Sequence, residues 1–264
     1  MRRWPDTGSG PEAHCDAVAE EQAVALSYNG VSHVVMMMTP ADLEDFAVGF
    51  SLSEAIVATR SEIRDIEVLQ RPLGIEVAVS LASARDAALR ELRRNLTGRT
   101  GCGLCGAESL EQVIREVPSL GEGFQLEAGA IDAAVGALAA LQPLARETGG
   151  AHAAAWCDAE GRILLLREDV GRHNALDKLI GANARERRDP SSGFALVSSR
   201  ASYEMVLKSA RAGIQVLAAV SAPTALAVRI AAEARLTLVA FARPGRLSVY
   251  SGAERIIGIG VETP

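Results

Sequence analysis

The sequence predicts an α/β protein in two parts: a small α+β unit, then a larger domain built on a mostly parallel sheet covered on both faces. Three observations predict it. Strand-like and helix-like segments alternate through the second half. The strand candidates there, such as QVLAAVS (215–221) and LTLVAFA (236–242), are continuously apolar, as strands buried on both sides are. Hydrophobic residues make up 48% of the chain but aromatics only 4%, so the core must be Ala, Val, Leu and Ile. The 264 residues are enough for one large domain or two small ones without covalent staples.

The elements follow in order. Residues 1–20 read as a disordered leader, with two arginines but no apolar h-region of a secretory signal. AVALSYNGVSHVVMMM is a β-hairpin, because Asn29-Gly30 between apolar runs is a strong type I′ turn signal. Thr39 as N-cap and Pro40 at the first position open a helix whose buried face is Leu43, Phe46, Ala47 and Phe50. DIEVLQ (65–70) and GIEVAVSL (74–81) are strands, and a helix is expected around 83–94. The N-terminal domain is placed at 21–118, ending in the glycine-rich GRTGCGLCG loop (98–106) and a helix from Ala107; the C-terminal domain covers 119–264. An alanine-rich helix spans roughly 129–146. Strands AHAAAWCD and RILLLRE flank the turn Ala159-Glu160-Gly161. Then come a helix at 173–181, strand 194–199, helix 202–213, strand 215–221, a helix started by Pro223, and strand 236–242.

Charge and composition remove several function classes. The net charge of −6 argues against a chain that grips nucleic acid. The longest apolar run, 216–228, is too short and too polar for a membrane span. Four cysteines make no disulfide framework, which points to the reducing cytoplasm.

The sharpest chemical feature is Cys102-Gly103-Leu104-Cys105. A free thiol of pKa about 8.5 is only a few per cent ionised at neutral pH, and the thiolate is the reactive form. A following helix start, the nearby Arg93, Arg94 and Arg99, and glycines that clear access all favour a reactive sulfur here. The pair cannot form a four-thiolate zinc site within one chain; a site completed by His152 or His173 stays open. A dinucleotide fingerprint is rejected because no buried strand precedes the glycines, and Cys157 reads as an inert core thiol. Three clusters fall at strand ends, where open sheets bind ligands. Arg172, His173 and Asn174 follow ILLL and are favoured as site residues, whereas Asp177 and Lys178 read as solvated loop and helix-cap residues. Ser198-Ser199-Arg200 and Ser221 follow two further strands, with helix N-caps as the plain alternative. In FARPGR (241–246), Arg243 and Arg246 flank Pro244-Gly245, so two guanidinium forks and the turn's backbone amides can face one anion.

Together, TGCGLCG (100–106), TGGAHAA (148–154), REDVGRHNALDKLIG (167–181), SSRASYEMVLKSARAGI (198–214), VLAAVSAPTALAV (216–228) and FARPGR resemble the FdhD/NarQ family of formate dehydrogenase accessory sulfurtransferases. Ser199 stands where that family often has glycine. The resemblance implies a cytidine-deaminase-like three-layer αβα second domain and a cytoplasmic sulfur carrier. The carrier would take sulfur from a cysteine desulfurase and pass it to the molybdenum cofactor (its bis-molybdopterin guanine dinucleotide form) before insertion into formate dehydrogenase. Cys102 matches the family's persulfide cysteine, with Cys105 alongside. Phe241, Ala242, Arg243, Pro244, Gly245 and Arg246 match its cofactor-binding stretch, where a guanine nucleotide can mimic the cofactor. A homodimer is expected, with neither nucleic acid nor membrane as partner. The rival expectation is a non-catalytic chaperone that only holds the cofactor. Deaminase activity is disfavoured, since no His is followed two residues later by Glu and Gly101 precedes Cys102.

Overall fold

The computed structural model describes residues 16–82, 117–121 and 123–258, with backbone pairing of Arg2–Arg3 against Glu12–Ala13. The first unit is a four-stranded sheet on one helix. Strands β1 (Gln22–Tyr28) and β2 (Val31–Met38) form the expected hairpin. Asn29 and Gly30 both take positive φ, 49° and 76°, as a type I′ turn requires. Strands β3 (Ile63–Arg71) and β4 (Gly74–Leu81) pair antiparallel, and the order is β2-β1-β4-β3 with β1 and β4 parallel. Alternate residues Ile75, Val77 and Val79 of β4 point inward, the period of two that a half-buried strand shows. They pack with Val24, Leu26, Phe46, Val48 and Phe50.

Helix α1 (Leu43–Ser53) begins three residues later than the sequence suggests. Its N-cap position is Asp42, in the left-handed region, and not Thr39. Thr39 serves a distant partner instead: its amide donates to Asp169 Oδ2 (3.1 Å) and its hydroxyl oxygen accepts from the Val170 amide (3.2 Å).

The second unit holds β5 (His152–Cys157), β6 (Ile163–Asp169), β7 (Phe194–Val197), β8 (Val216–Ala219), β9 (Thr237–Arg243) and β10 (Arg246–Ser251), in the order β10-β9-β8-β7-β5-β6. The sheet is mixed rather than mostly parallel: only β7–β8 and β8–β9 run parallel. The tight turns at Ala159-Glu160-Gly161 and Pro244-Gly245 force antiparallel neighbours. Helices α4 (Arg172–Arg185), α5 (Tyr203–Arg211) and α6 (Ala225–Glu233) cover one face and α2 (Ala128–Leu138) the other, so helices sandwich the sheet. The single alanine-rich helix expected over 129–146 is broken. Pro143 lacks an N–H to continue the ladder and instead starts the short α3 (Pro143–Thr148). Pro223 likewise does not start α6; Thr224 caps it, accepting from the Ala227 amide, while Pro223 bridges to Ala201.

The two units meet where α1 crosses α4. Gly49 and Gly181 face each other there, each against the opposite helix backbone. Asp177 and Lys178, expected in solvent, are 1% and 0% exposed. Lys178 Nζ donates to Asp169 Oδ2 (2.6 Å) and the Thr39 carbonyl (2.9 Å). Asp177 accepts from Ser53 Oγ (2.6 Å) and from Lys208 Nζ (2.8 Å), which also reaches Glu54 (2.9 Å). Burial alone would push the Lys208 ammonium down and the Asp177 carboxyl up. The charges of Asp177 and Glu54 outweigh burial at Lys208, which is raised and stays protonated. At Asp177 burial outweighs the donating ammonium and hydroxyl, and its carboxyl is held above the ordinary carboxylate range. Asp45 adds a second tie between the units, accepting from Arg167 and Arg185.

Candidate functional site

One edge of the six-stranded sheet collects most of the strand-end candidates. Strands β7, β8 and β9 end there, and antiparallel β5 begins there with His152 paired to Asp169. The loops are stitched by backbone bonds: Ser198 to Ala153, Val220 to Val197, Ala201 to Ala222 and Phe241 to Ser221. The edge therefore carries His152, Arg172, His173, Ser198–Ser202, Ser221 and Phe241–Arg246. The carboxyl ends of strands leave unpaired loops facing a crevice, which is why sheets of this kind bind ligands there.

The Phe241–Arg246 stretch is a strand, a bulge and a tight turn. Register shifts between Ala240 and Arg243, and Phe241 takes a left-handed φ of 51°, uncommon for an aromatic residue. Its ring lies 6.5 Å from that of Tyr250. Arg243 and Arg246 are directly opposed across the two strands, and both are exposed. Like charges in such a pair repel unless something anionic sits between them. Neither has a hydrogen bond or ion pair among the described residues. With Phe241 they line an open pocket of about 210 Å³. The arrangement suits a phosphate-bearing ligand with a flat ring, gripped by guanidinium forks beside an aromatic face. One expectation needs correcting: the Gly245 amide does not face the anion, because it donates to Asp132 Oδ1 of α2 (2.6 Å). Sequence reasoning missed Asp132, and no local signal marks it. Ala242 is buried and points to the core, so it shapes the strand without lining the pocket.

At the other end of the edge, Asp169 organises the loop into α4. Its Oδ1 accepts from the Gly171 amide (2.7 Å) and Asn174 Nδ2 (3.0 Å), while Oδ2 takes Lys178 and Thr39. Asn174 is thereby a tie, its second amide proton going to the Met37 carbonyl (3.1 Å). Arg172 and His173 open α4 at this end and are both partly buried. His173 Nε2 is 2.9 Å from Glu204 Oε2, close enough for an ion pair but outside hydrogen-bond geometry. Ser198 and Ser199 are not helix caps: Ser198 Oγ accepts from the Ala153 amide (2.9 Å), and the residue before α5 is Ser202. Ser221 caps nothing either, since α6 is capped by Thr224.

His152 is half-buried in this corner. Burial first, then the charges of Arg172 and His173, hold its imidazole below the ordinary value, against an upward pull from Asp169. A histidine depressed in the folded state leaves the unfolded chain the better proton acceptor, so folding stability falls as pH drops through the unfolded value of about 6.5. Thermal melts at pH 7.5 and 5.5 should show a larger loss for the native chain than for His152→Gln. Equal losses would remove His152 from the account.

Cys102, Cys105 and Cys15 lie outside the described residues, as do Arg93, Arg94 and Arg99 and the helices expected at 83–94 and from Ala107. Cys157 is fully buried, and burial, aided by Asp158, pushes its thiol up to about 12, which makes it inert. Among the described residues no three His, Cys, Asp or Glu side chains are grouped to hold a metal ion, and no helix is long and apolar enough to cross a membrane.

Comparison with known proteins identifies the family. A family model, the FdhD/NarQ family, matches residues 19–257. "Sulfur carrier protein FdhD" of Cupriavidus necator is 56% identical over 241 residues, covering 91% of this chain and 84% of the relative. The protein of the same name from Bordetella petrii is 53% identical over 247 residues, covering 94% and 89%. A crystal structure from Desulfotalea psychrophila, assigned as a formate dehydrogenase accessory protein, superposes with a TM-score of 0.74 at 26% identity, over 97% of this chain and 98% of that one. With a family model spanning nearly all of the described residues and relatives more than half identical, the chain belongs to the FdhD/NarQ family.

Proposed function

We propose that the protein is a sulfurtransferase that carries sulfur as a persulfide on Cys102 and delivers it to a molybdenum cofactor destined for formate dehydrogenase. Relatives named as sulfur carriers support the first half. The observation that carries the second is the pocket of Phe241, Arg243 and Arg246, whose two guanidinium groups have no acidic partners among the described residues, in a chain of net charge −6. A pterin–guanine dinucleotide offers diphosphates and flat rings, the two features that pocket is shaped for. In this reading the segment that ends near residue 118 brings sulfur, and the domain from 119 onward, cytidine-deaminase-like in architecture, holds the acceptor. The protein works in the cytoplasm as a homodimer beside a cysteine desulfurase.

The chemistry balances in two steps. The Cys102 thiolate attacks the outer sulfur of the desulfurase's persulfide; a new S–S bond forms on Cys102 and the desulfurase leaves as its thiolate. The Cys105 thiolate then attacks Cys102 Sγ, giving a Cys102–Cys105 disulfide and expelling sulfide to the cofactor, and a cellular thiol reductant resets the pair.

Intact-mass analysis after incubation with a cysteine desulfurase and cysteine tests the carrier directly. A gain of one sulfur atom, mapped to the peptide holding Cys102, is expected. No gain would leave only the holding role, which the arginine pocket alone could perform. A second measurement tests the pocket. Replacing Arg243 and Arg246 with alanine removes two charge-assisted contacts, each about 1.5 kcal/mol or more, so GDP should bind at least roughly a hundredfold more weakly by calorimetry. An unchanged Kd would move the cofactor elsewhere.

A further inference from the structure

The opposite end of the second sheet holds a pocket that the proposed function does not use. Helices α1, α4 and α5 all finish there, at Ser53, Arg185 and Arg211, and the chain leaving α5 enters β8. Arg172 opens α4 at the crevice and Asn183 stands in its last turn, so about 16 Å of helix separates the two. The pocket measures about 140 Å³ and straddles both units: Leu52 comes from α1, Ile180 from α4, and Pro190 and Ile214 from the chain after α4 and α5. A cavity of that order takes a body of about six non-hydrogen atoms.

Its walls are mostly apolar. The polar side chains are Asn183, Arg188 and Arg211, and no carboxylate lines it among the described residues. Asn183 is 6% exposed, yet its amide has no hydrogen-bond partner among the described residues, and Oδ1 is sealed from solvent without a donor. Asn174, at the start of the same helix, gives both amide protons to Asp169 and Met37. A sealed acceptor without a donor destabilises the fold, and alanine is the better helix former, so the Asn183 amide points to a donor from outside the chain. Arg188 gives Nε and Nη2 to Glu186 (2.9 and 2.7 Å) and has Nη1 left without a partner among the described residues. Arg211 Nη1 donates to the Ser53 carbonyl (3.1 Å), which sets its guanidinium beside the end of α1. Both arginines are partly exposed and Asn183 is buried, so the guanidinium groups mark the mouth and the amide marks the floor. The walls are fixed in advance: the Arg188 amide donates to the Asn183 carbonyl and the Ile214 amide to the Ser209 carbonyl, both at 3.0 Å.

We propose that this pocket binds a free α-amino acid with a short apolar side chain. The ligand's ammonium donates to Asn183 Oδ1, its side chain fills the space between Leu52, Ile180 and Ile214, and its carboxylate meets the guanidinium groups of Arg188 and Arg211. The three helix C-termini around the pocket favour the positive end of the ligand on the floor. An amine alone leaves the guanidinium groups unmatched, and a carboxylate alone leaves Oδ1 without a donor. The ligand touches α1 of the first unit and α4 of the second, so it holds the junction closed and stabilises the protein by mass action. None of these residues belongs to the strand-end crevice, so the site stands whether or not the proposed function holds.

Calorimetry on the full chain tests the site with three probes: L-valine, 3-methylbutanoate, which lacks the ammonium, and isobutylamine, which lacks the carboxylate. L-valine should bind, and each of the others should bind about tenfold more weakly or worse, having lost one charge-assisted contact. Asn183→Ala should weaken L-valine to the level of 3-methylbutanoate and leave 3-methylbutanoate unchanged. Arg188→Met should weaken L-valine severalfold and leave isobutylamine unchanged. Asn183→Ala should melt no lower than the parent, because alanine favours the helix and removes the unsatisfied acceptor, so its lost binding is not a folding defect. The proposal is overturned if L-valine gives no binding at millimolar concentration, if 3-methylbutanoate binds as tightly, or if Asn183→Ala binds L-valine as the parent does. A melting temperature for Asn183→Ala well below the parent's would also overturn it, by making the amide a structural group.

Discussion

Gly49→Ala should destabilise the protein by about 3 kcal/mol, read as a shift of the urea midpoint with the slope unchanged. A Cβ at Gly49 would overlap the Asp177 carbonyl and crowd the Gly181 amide. The obstacle is backbone on a helix that is itself packed against the sheet, so no rotamer change relieves it. Gly181 meets the Asp45 carbonyl and the Gly49 amide in the same way, and Gly181→Ala should cost a similar amount. Alanine's better helix propensity, worth up to about 1 kcal/mol, is too small to offset this. Gly136 in α2 gives the opposite sign, since nothing lies within 4 Å of its added Cβ; there alanine should stabilise by about 0.5–1 kcal/mol. If Gly49→Ala and Gly136→Ala behave alike, close helix contact is not what holds the two units together. The consequence for function follows from the neighbours. Forcing α1 away from α4 would also stretch the Ser53–Asp177, Glu54–Lys208 and Asp45–Arg167 ties, and α4 carries Arg172 and His173 on its first turn.

What the sequence reveals and conceals here follows the range of the interaction. The Asn29-Gly30 hairpin is legible because a two-residue turn fixes both register and conformation locally. Arg243 and Arg246 are legible for the same reason: Pro244-Gly245 between them sets them opposite one another. The direction of the second sheet's strands is not, because burial on both faces gives the same apolar run whichever way a strand points. Thr39 reads locally as a cap, yet its real partner is Asp169, 130 residues on. Asp177 and Lys178 look like solvent-facing charges on an ordinary helix. Asp177 is buried against Ser53, 124 residues before it, and Lys208, 31 after it, while Lys178 is buried against Asp169 and against the carbonyl of Thr39, 139 residues before it. The turn amide of Gly245 was expected to bind the anion, and Asp132, 113 residues earlier, takes it. In each case the local pattern names the residue type correctly and a distant side chain decides its work.

Cys102→Ala should abolish sulfur loading and, with it, maturation of formate dehydrogenase, while leaving the fold and nucleotide binding unchanged. The separation is expected because the two functions use different groups. Loading needs a thiolate that can attack a persulfide, and alanine has none; Cys157 cannot substitute, being sealed in the sheet with its thiol pushed up to about 12. In the proposed reading GDP binding uses the Arg243–Arg246 forks. Cys105→Ser should show a different defect. Its Cys102 thiolate still accepts sulfur, so the mass gain remains, but no second thiolate expels the sulfide, and the loaded form should persist when acceptor is added. Mass spectrometry at intervals after adding desulfurase and then cofactor reads both variants. A loaded Cys102→Ala protein would move the carrier to another residue, and a Cys105→Ser protein that unloads as fast as the parent would make direct attack on the persulfide, without a disulfide, the route of delivery.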